Sequence, residues 1–120
     1  SQIRDYINNR FSGFPYNVSS YNGSQSSFNQ KLYYDMDYYQ PLVIHMANPE
    51  YTTTYWPYHT DGHFCMCVGN NSAASTYRIA DPYYFSTYVS SATANDGYHT
   101  VTWSQLNTVI GNKWTYNVLW

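Results

Sequence analysis

Asp61-Gly62-His63-Phe64-Cys65-Met66-Cys67-Val68-Gly69, followed after a short polar turn by Ile79-Ala80-Asp81-Pro82-Tyr83, decides the reading of this chain. Each stretch is a hydrophobic strand with one ionisable residue at an end. His63 opens the first strand just after a glycine turn, and Asp81 closes the second just before a proline. If the two strands pair as an antiparallel hairpin, His63 and Asp81 come to the same end of the sheet. A carboxylate beside an imidazole fixes its tautomer and raises its basicity, as a general base or a thiolate partner requires. That is half of a catalytic triad, and no nucleophile stands out in the chain to complete it.

Working outward, 120 residues make one domain, 1–120, with room for a real core. Upstream, the 3-4-7 spacing of Ile3, Tyr6, Ile7 and Arg10 or Phe11 predicts a helix from Ser1 to Phe11, ended by Gly13 and Pro15. Tyr16 to Val18 has strand character, and Asn22-Gly23 marks a turn. Ser27 with Gln30 reads as a capping box that starts a helix to Asp37, with Phe28, Leu32 and Met36 on one face. Leu42 to Met46 is a short buried strand, and residues 47–60 form a long aromatic loop. Downstream of the hairpin, residues 82–97 are irregular and tyrosine-rich. Thr102 with Gln105 is a second capping box, opening a helix to Ile110 that Gly111 closes, and Thr115 to Leu119 is a last strand. The class is α+β, with a mostly antiparallel sheet and flanking helices.

Composition narrows the function. Only 10% of residues are charged, with five Lys+Arg against seven Asp+Glu, so the basic stripe of a nucleic-acid binder is missing. No apolar run is long enough for a membrane span. Low lysine content with 16 tyrosines and abundant Ser, Thr and Asn resembles secreted, cell-wall-associated Gram-positive bacterial proteins. Cys65 and Cys67, at i and i+2 of one strand, share a face but have the wrong geometry for a disulfide. They read as small core residues, and no metal-ligand spacing surrounds them or the four histidines. Cys65 is expected to project parallel to His63, about 7 Å along the strand, without meeting the imidazole edge. His45 reads as a satisfied strand histidine, and His59, beside Asp61, lies in the aromatic loop. Tyr51, Tyr55, Trp56 and Tyr58 in that loop form a candidate stacking platform for peptide or glycan.

Gly62-His63-Phe64 and Asp81-Pro82-Tyr83, in this order and strand context, resemble the C-terminal half of papain-fold cysteine peptidases related to the bacteriocin-processing (double-glycine leader) peptidases. The secreted peptidase-like branch is the best match. The resemblance covers roughly residues 28–120 and, more weakly, 1–15. It implies a partial papain-like cysteine peptidase fold and thiol-dependent hydrolysis of peptide bonds, with His63 as base and thiolate partner and Asp81 as its orienter. His99 is implied to be structural, on the approach to the last helix. No cofactor is implied. The family's nucleophilic cysteine and oxyanion-hole glutamine lie in a segment upstream of the matched region. The expectation is therefore that an N-terminal fragment or a second chain carries the cysteine, and that Tyr55, Trp56 and Tyr58 border the peptide groove. The alternative expectation is a non-catalytic, Tyr-rich binding module for peptide or cell-wall glycan on the same fold.

Overall fold

The structure, a computed structural model, describes residues 2–10, 16–49, 55–56, 58–83, 97–113 and 118–120. In chain order the elements are α1 (Gln2–Arg10), β1 (Val18–Ser19), α2 (Gln25–Asp37), β2 (Leu42–Asn48) and β3 (Thr60–Asn71). They continue with β4 (Thr76–Ala80), β5 (Tyr98–Thr102), α3 (Trp103–Gly111) and β6 (Val118–Leu119). The strands form one six-stranded sheet in the order β1-β6-β2-β3-β4-β5, antiparallel at every pairing. The chain is α+β, as its patterning predicts.

Alternation along the central strands sorts the residues onto two faces. Leu42, Ile44 and Met46 of β2, Cys65 and Cys67 of β3, Tyr77 and Ile79 of β4 and Val101 of β5 are buried on one face. Phe28 and Leu32 of α2 and Leu106, Val109 and Ile110 of α3 cover that face and close the core. On the other face Phe64, Met66, Val68 and Tyr98 are partly open to solvent. Helices α2 and α3 thus cover the first of these faces.

The helix boundaries follow their caps. Thr102 accepts the Gln105 N–H while the Gln105 side chain accepts the Thr102 N–H, the reciprocal capping box expected at α3. At α2 the cap lies one turn earlier than the Ser27 box predicts. Ser24, placed by the Asn22-Gly23 turn with Gly23 at φ +76°, accepts the Ser27 N–H, which puts Ser27 inside the first turn. The buried face of α2 continues from Phe28 and Leu32 to Asp35, while Met36 is exposed. Four strands also differ from expectation, and the first, β1, is Val18–Ser19 where strand character is expected at Tyr16 to Val18. β2 runs on to Asn48 and β3 begins at Thr60, which shortens the aromatic loop at both ends. β5, which the sequence reading passed over, completes the far edge. The ends of the first predicted helix, Ser1 and Phe11, the irregular 84–96 segment and the start of the last strand, 114–117, lie outside the described residues.

Candidate active site

The hairpin register builds the site. Met66 pairs with Ala80 across β3 and β4, so the next step of the ladder sets Asp81 opposite Cys65, on the helix-covered face. Ala80 pairs with Tyr98, and the Asp81 N–H donates to the Gly97 carbonyl at 2.7 Å. His63 on β3 and His99 on β5 are therefore the diagonal neighbours of Asp81 on its two flanks. Diagonal positions on one face are within reach of long side chains.

Both histidines reach it. His63 Nε2 is 2.8 Å from Asp81 Oδ1, and His99 Nε2 is 2.8 Å from Asp81 Oδ2. The Tyr58 hydroxyl donates to Oδ2 at 2.5 Å and the Tyr83 N–H to Oδ1 at 2.9 Å. A carboxylate has about four acceptor positions, and these four donors fill them. Burial alone would raise the Asp81 pKa. The hydrogen bonds from His63, His99, Tyr58 and the Tyr83 backbone outweigh it and hold the group well below the usual carboxylate range. Tyr58 moves the other way: burial and its bond to Asp81 push the phenol far up, so it stays protonated and donates.

An ionised Asp81 can only accept, so Nε2 of His63 carries the proton in that bond. The second ring nitrogen, Nδ1, is then the basic atom of the neutral imidazole, and it makes no hydrogen bond among the described residues. Exposure separates the two partners: the His63 side chain is 20% exposed and that of Asp81 1%. The Tyr58 and Tyr83 rings flank the His63 ring in T-shaped contacts, with centroids at 5.9 and 6.1 Å. The ring is held on several sides while part of it faces outward.

Cys65 lies closer to this pair than the strand spacing predicts. Atoms of His63, Cys65 and Asp81 lie within 4.8 Å of one another, because Asp81 sits opposite Cys65 and reaches over toward the His63 side. The thiol is nevertheless buried. Burial first, and the neighbouring Asp81 charge second, push its pKa far above the ordinary thiol range, and the residue is 1% exposed. Cys67, also buried, is pushed up to about 12. Both cysteines are free.

The same trio has the donor types of a zinc site, and its geometry argues against one. Two ligands on one tetrahedral ion with bonds of about 2.0 Å stand roughly 3.3 Å apart. His63 and Asp81 are at hydrogen-bonding distance instead, and the carboxylate's acceptor positions are filled.

The aromatic loop sits differently from the expected platform. Trp56 is fully buried, with its ring 4.7 Å from that of His99, and Tyr58 is buried against Asp81. Tyr55 is partly buried against the core. Asn48, buried at the end of β2, donates to the Trp56 and Tyr58 carbonyls at 3.3 and 2.8 Å and so pins the segment over the site. These side chains support Asp81 from inside, and an open stacking face would need their ring faces outside. Tyr51 lies outside the described residues. His45 stacks on Phe64 with centroids at 4.3 Å, and His59 Nε2 lies 3.4 Å from Asp61 Oδ1.

The sequence pairs His63 with Asp81 and gives His99 only as a structural residue, without its bond to Asp81, and it does not single out Asn48. The inward alternation of His99 and Val101 between outward Tyr98, Thr100 and Thr102 was the available signal for His99. No helix among the described residues is long and apolar enough to cross a membrane. In comparisons with protein families, with characterised proteins and with solved structures, no match to the chain was found.

Proposed function

We propose that this chain is the sheet-bearing half of a papain-like cysteine peptidase domain, secreted or cell-wall-associated, which supplies the base and its orienter. The observation that carries the reading is the 2.8 Å bond between a buried, ionised Asp81 and a partly exposed His63. The thiol comes from a segment or chain outside residues 1–120, since Cys65 is sealed and held protonated. His63 Nδ1 takes the proton of that thiol, and the thiolate attacks the peptide carbonyl. The resulting imidazolium, stabilised by Asp81, returns the proton to the leaving amine. Water then attacks the thioester, with His63 again the base, and the acid product leaves the thiol free.

Burial of Trp56 and Tyr58 weakens the competing picture of a Tyr-rich binding module built on this loop, and it equally counts against these two side chains as the lining of a peptide groove. The test is hydrolysis of a mixed peptide pool by the native protein, compared with its His63→Ala variant. Loss of at least about 1,000-fold in kcat/KM is expected, as for removal of a triad base. Hydrolysis unchanged by the substitution, or absent from the unsubstituted protein, contradicts the reading.

A further inference from the structure

The second histidine on Asp81 has no task in the reaction just described. We infer that His99 and Tyr58 are positioning residues which together hold Asp81 Oδ2, so that Oδ1 faces His63 and Nδ1 remains the basic atom of His63. The inference rests on the peptidase reading for its purpose, but not for its physical content.

The argument starts from the carboxylate. An aspartate held by one oxygen alone can rotate about its terminal torsion, which is broad and nearly two-fold. It can then present either oxygen, or neither, to His63. Here Oδ2 is held by two donors from different parts of the fold: Tyr58, in the segment pinned by Asn48, and His99, on the edge strand β5. Oδ1 is left with the Tyr83 N–H and His63 Nε2. The two holding side chains are themselves fixed. The His99 ring lies against Trp56, and the Tyr58 ring packs edge-on against Tyr83 at 4.8 Å. His99 is 8% exposed at its side chain, against 20% for His63. One histidine on this carboxylate is therefore enclosed as a support and the other is presented outward. Groups that orient a base in this way act through geometry, and a misplacement of about 1 Å at a reacting centre can cost roughly 100-fold in rate.

A merely structural role for His99 would show in stability alone, so the test reads the tautomer of His63. The protein is labelled with 15N in its histidines, and long-range proton–nitrogen correlations are recorded at about pH 8, where an ordinary imidazole is neutral. The unsubstituted protein is expected to show His63 as a single Nε2–H tautomer. His99→Phe keeps a ring beside Trp56 and removes the donor, and is expected to give a mixture in which Nδ1–H appears. His99→Gln restores an N–H donor and is expected to recover the single form. Tyr58→Phe removes only the phenolic O–H and is expected to shift the tautomer in the same direction, which keeps the test open if His99→Phe fails to fold.

Unchanged Nε2–H tautomer in the folded variants overturns the inference, whatever the peptidase assay shows. In the native protein with its nucleophile, His99→Phe is expected to lower kcat by roughly 10- to 100-fold with little change in KM. A tautomer shift in a protein without peptidase activity overturns the peptidase reading and upholds the positioning role.

Discussion

His63 Nε2 and Asp81 Oδ1 meet at 2.8 Å although eighteen positions separate the two residues, and the β3–β4 hairpin is what closes that distance. The bond joins a nearly inaccessible carboxylate to an imidazole that solvent can reach. Such a pair carries consequences for stability as well as for chemistry.

Asp81→Ala leaves the donors of His63, His99, Tyr58 and the Tyr83 backbone facing a void. A loss of about 3–5 kcal/mol at pH 7 is expected from breaking a buried charged network. The folded pKa of Asp81 lies below its unfolded value, so its contribution is full above the unfolded value and fades as pH falls below it. Urea unfolding of both proteins from pH 7 down to pH 2 should show the gap narrowing below about pH 4. A gap that stays constant with pH would contradict the ionised state of Asp81.

Asp35 has the opposite sign. Burial pushes its pKa up to about 6 against the lowering effect of the Gln40 hydrogen bond, and Oδ2 has no partner among the described residues. The folded protein holds this proton more tightly than the unfolded chain does. Stability from this group is therefore greatest below pH 3.8 and falls as pH rises to about 6. Asp35→Asn is expected to stabilise the protein by about 1 kcal/mol above pH 6 and to give no gain below pH 4. Thermal melts at pH 3.5 and 7.5 distinguish this from a pH-independent packing effect.

The cap of α2 separates two serines three positions apart. Ser24→Ala removes the acceptor of the Ser27 N–H and is expected to cost about 1 kcal/mol, as is Thr102→Ala at α3. Ser27→Ala, inside the first turn, is expected to change stability by less than about 0.5 kcal/mol. Denaturant midpoints for the three variants check this, and a larger loss at Ser27 than at Ser24 would contradict the boundary.

These cases also show what the sequence could disclose. The hairpin was legible because two apolar runs are bounded by the Gly62 turn, a short polar turn and the Pro82 stop. The α3 cap was legible because both partners of its box are local. The α2 cap was ambiguous: Ser24 and Ser27 each precede a helix-compatible run, and only the tight turn at Gly23 favours the first. β5 was hidden because His99 is a polar residue at an inward position, and its reason for being there, Asp81, lies on another strand. Cys65 was misplaced relative to His63 because distance along one strand says nothing of a carboxylate arriving from the opposite one. The Asn48 side chain holds the carbonyls of Trp56 and Tyr58 across eight and ten positions, bonds that composition does not disclose.

The most direct test of the central claim is thiol labelling of the native protein with a peptidyl epoxide, read by intact and fragment mass. The account predicts one label on a cysteine outside residues 1–120, lost in His63→Ala, with Cys65 and Cys67 unlabelled until the protein is unfolded. A label on Cys65 in the folded protein, or no labelled thiol at all, would contradict it.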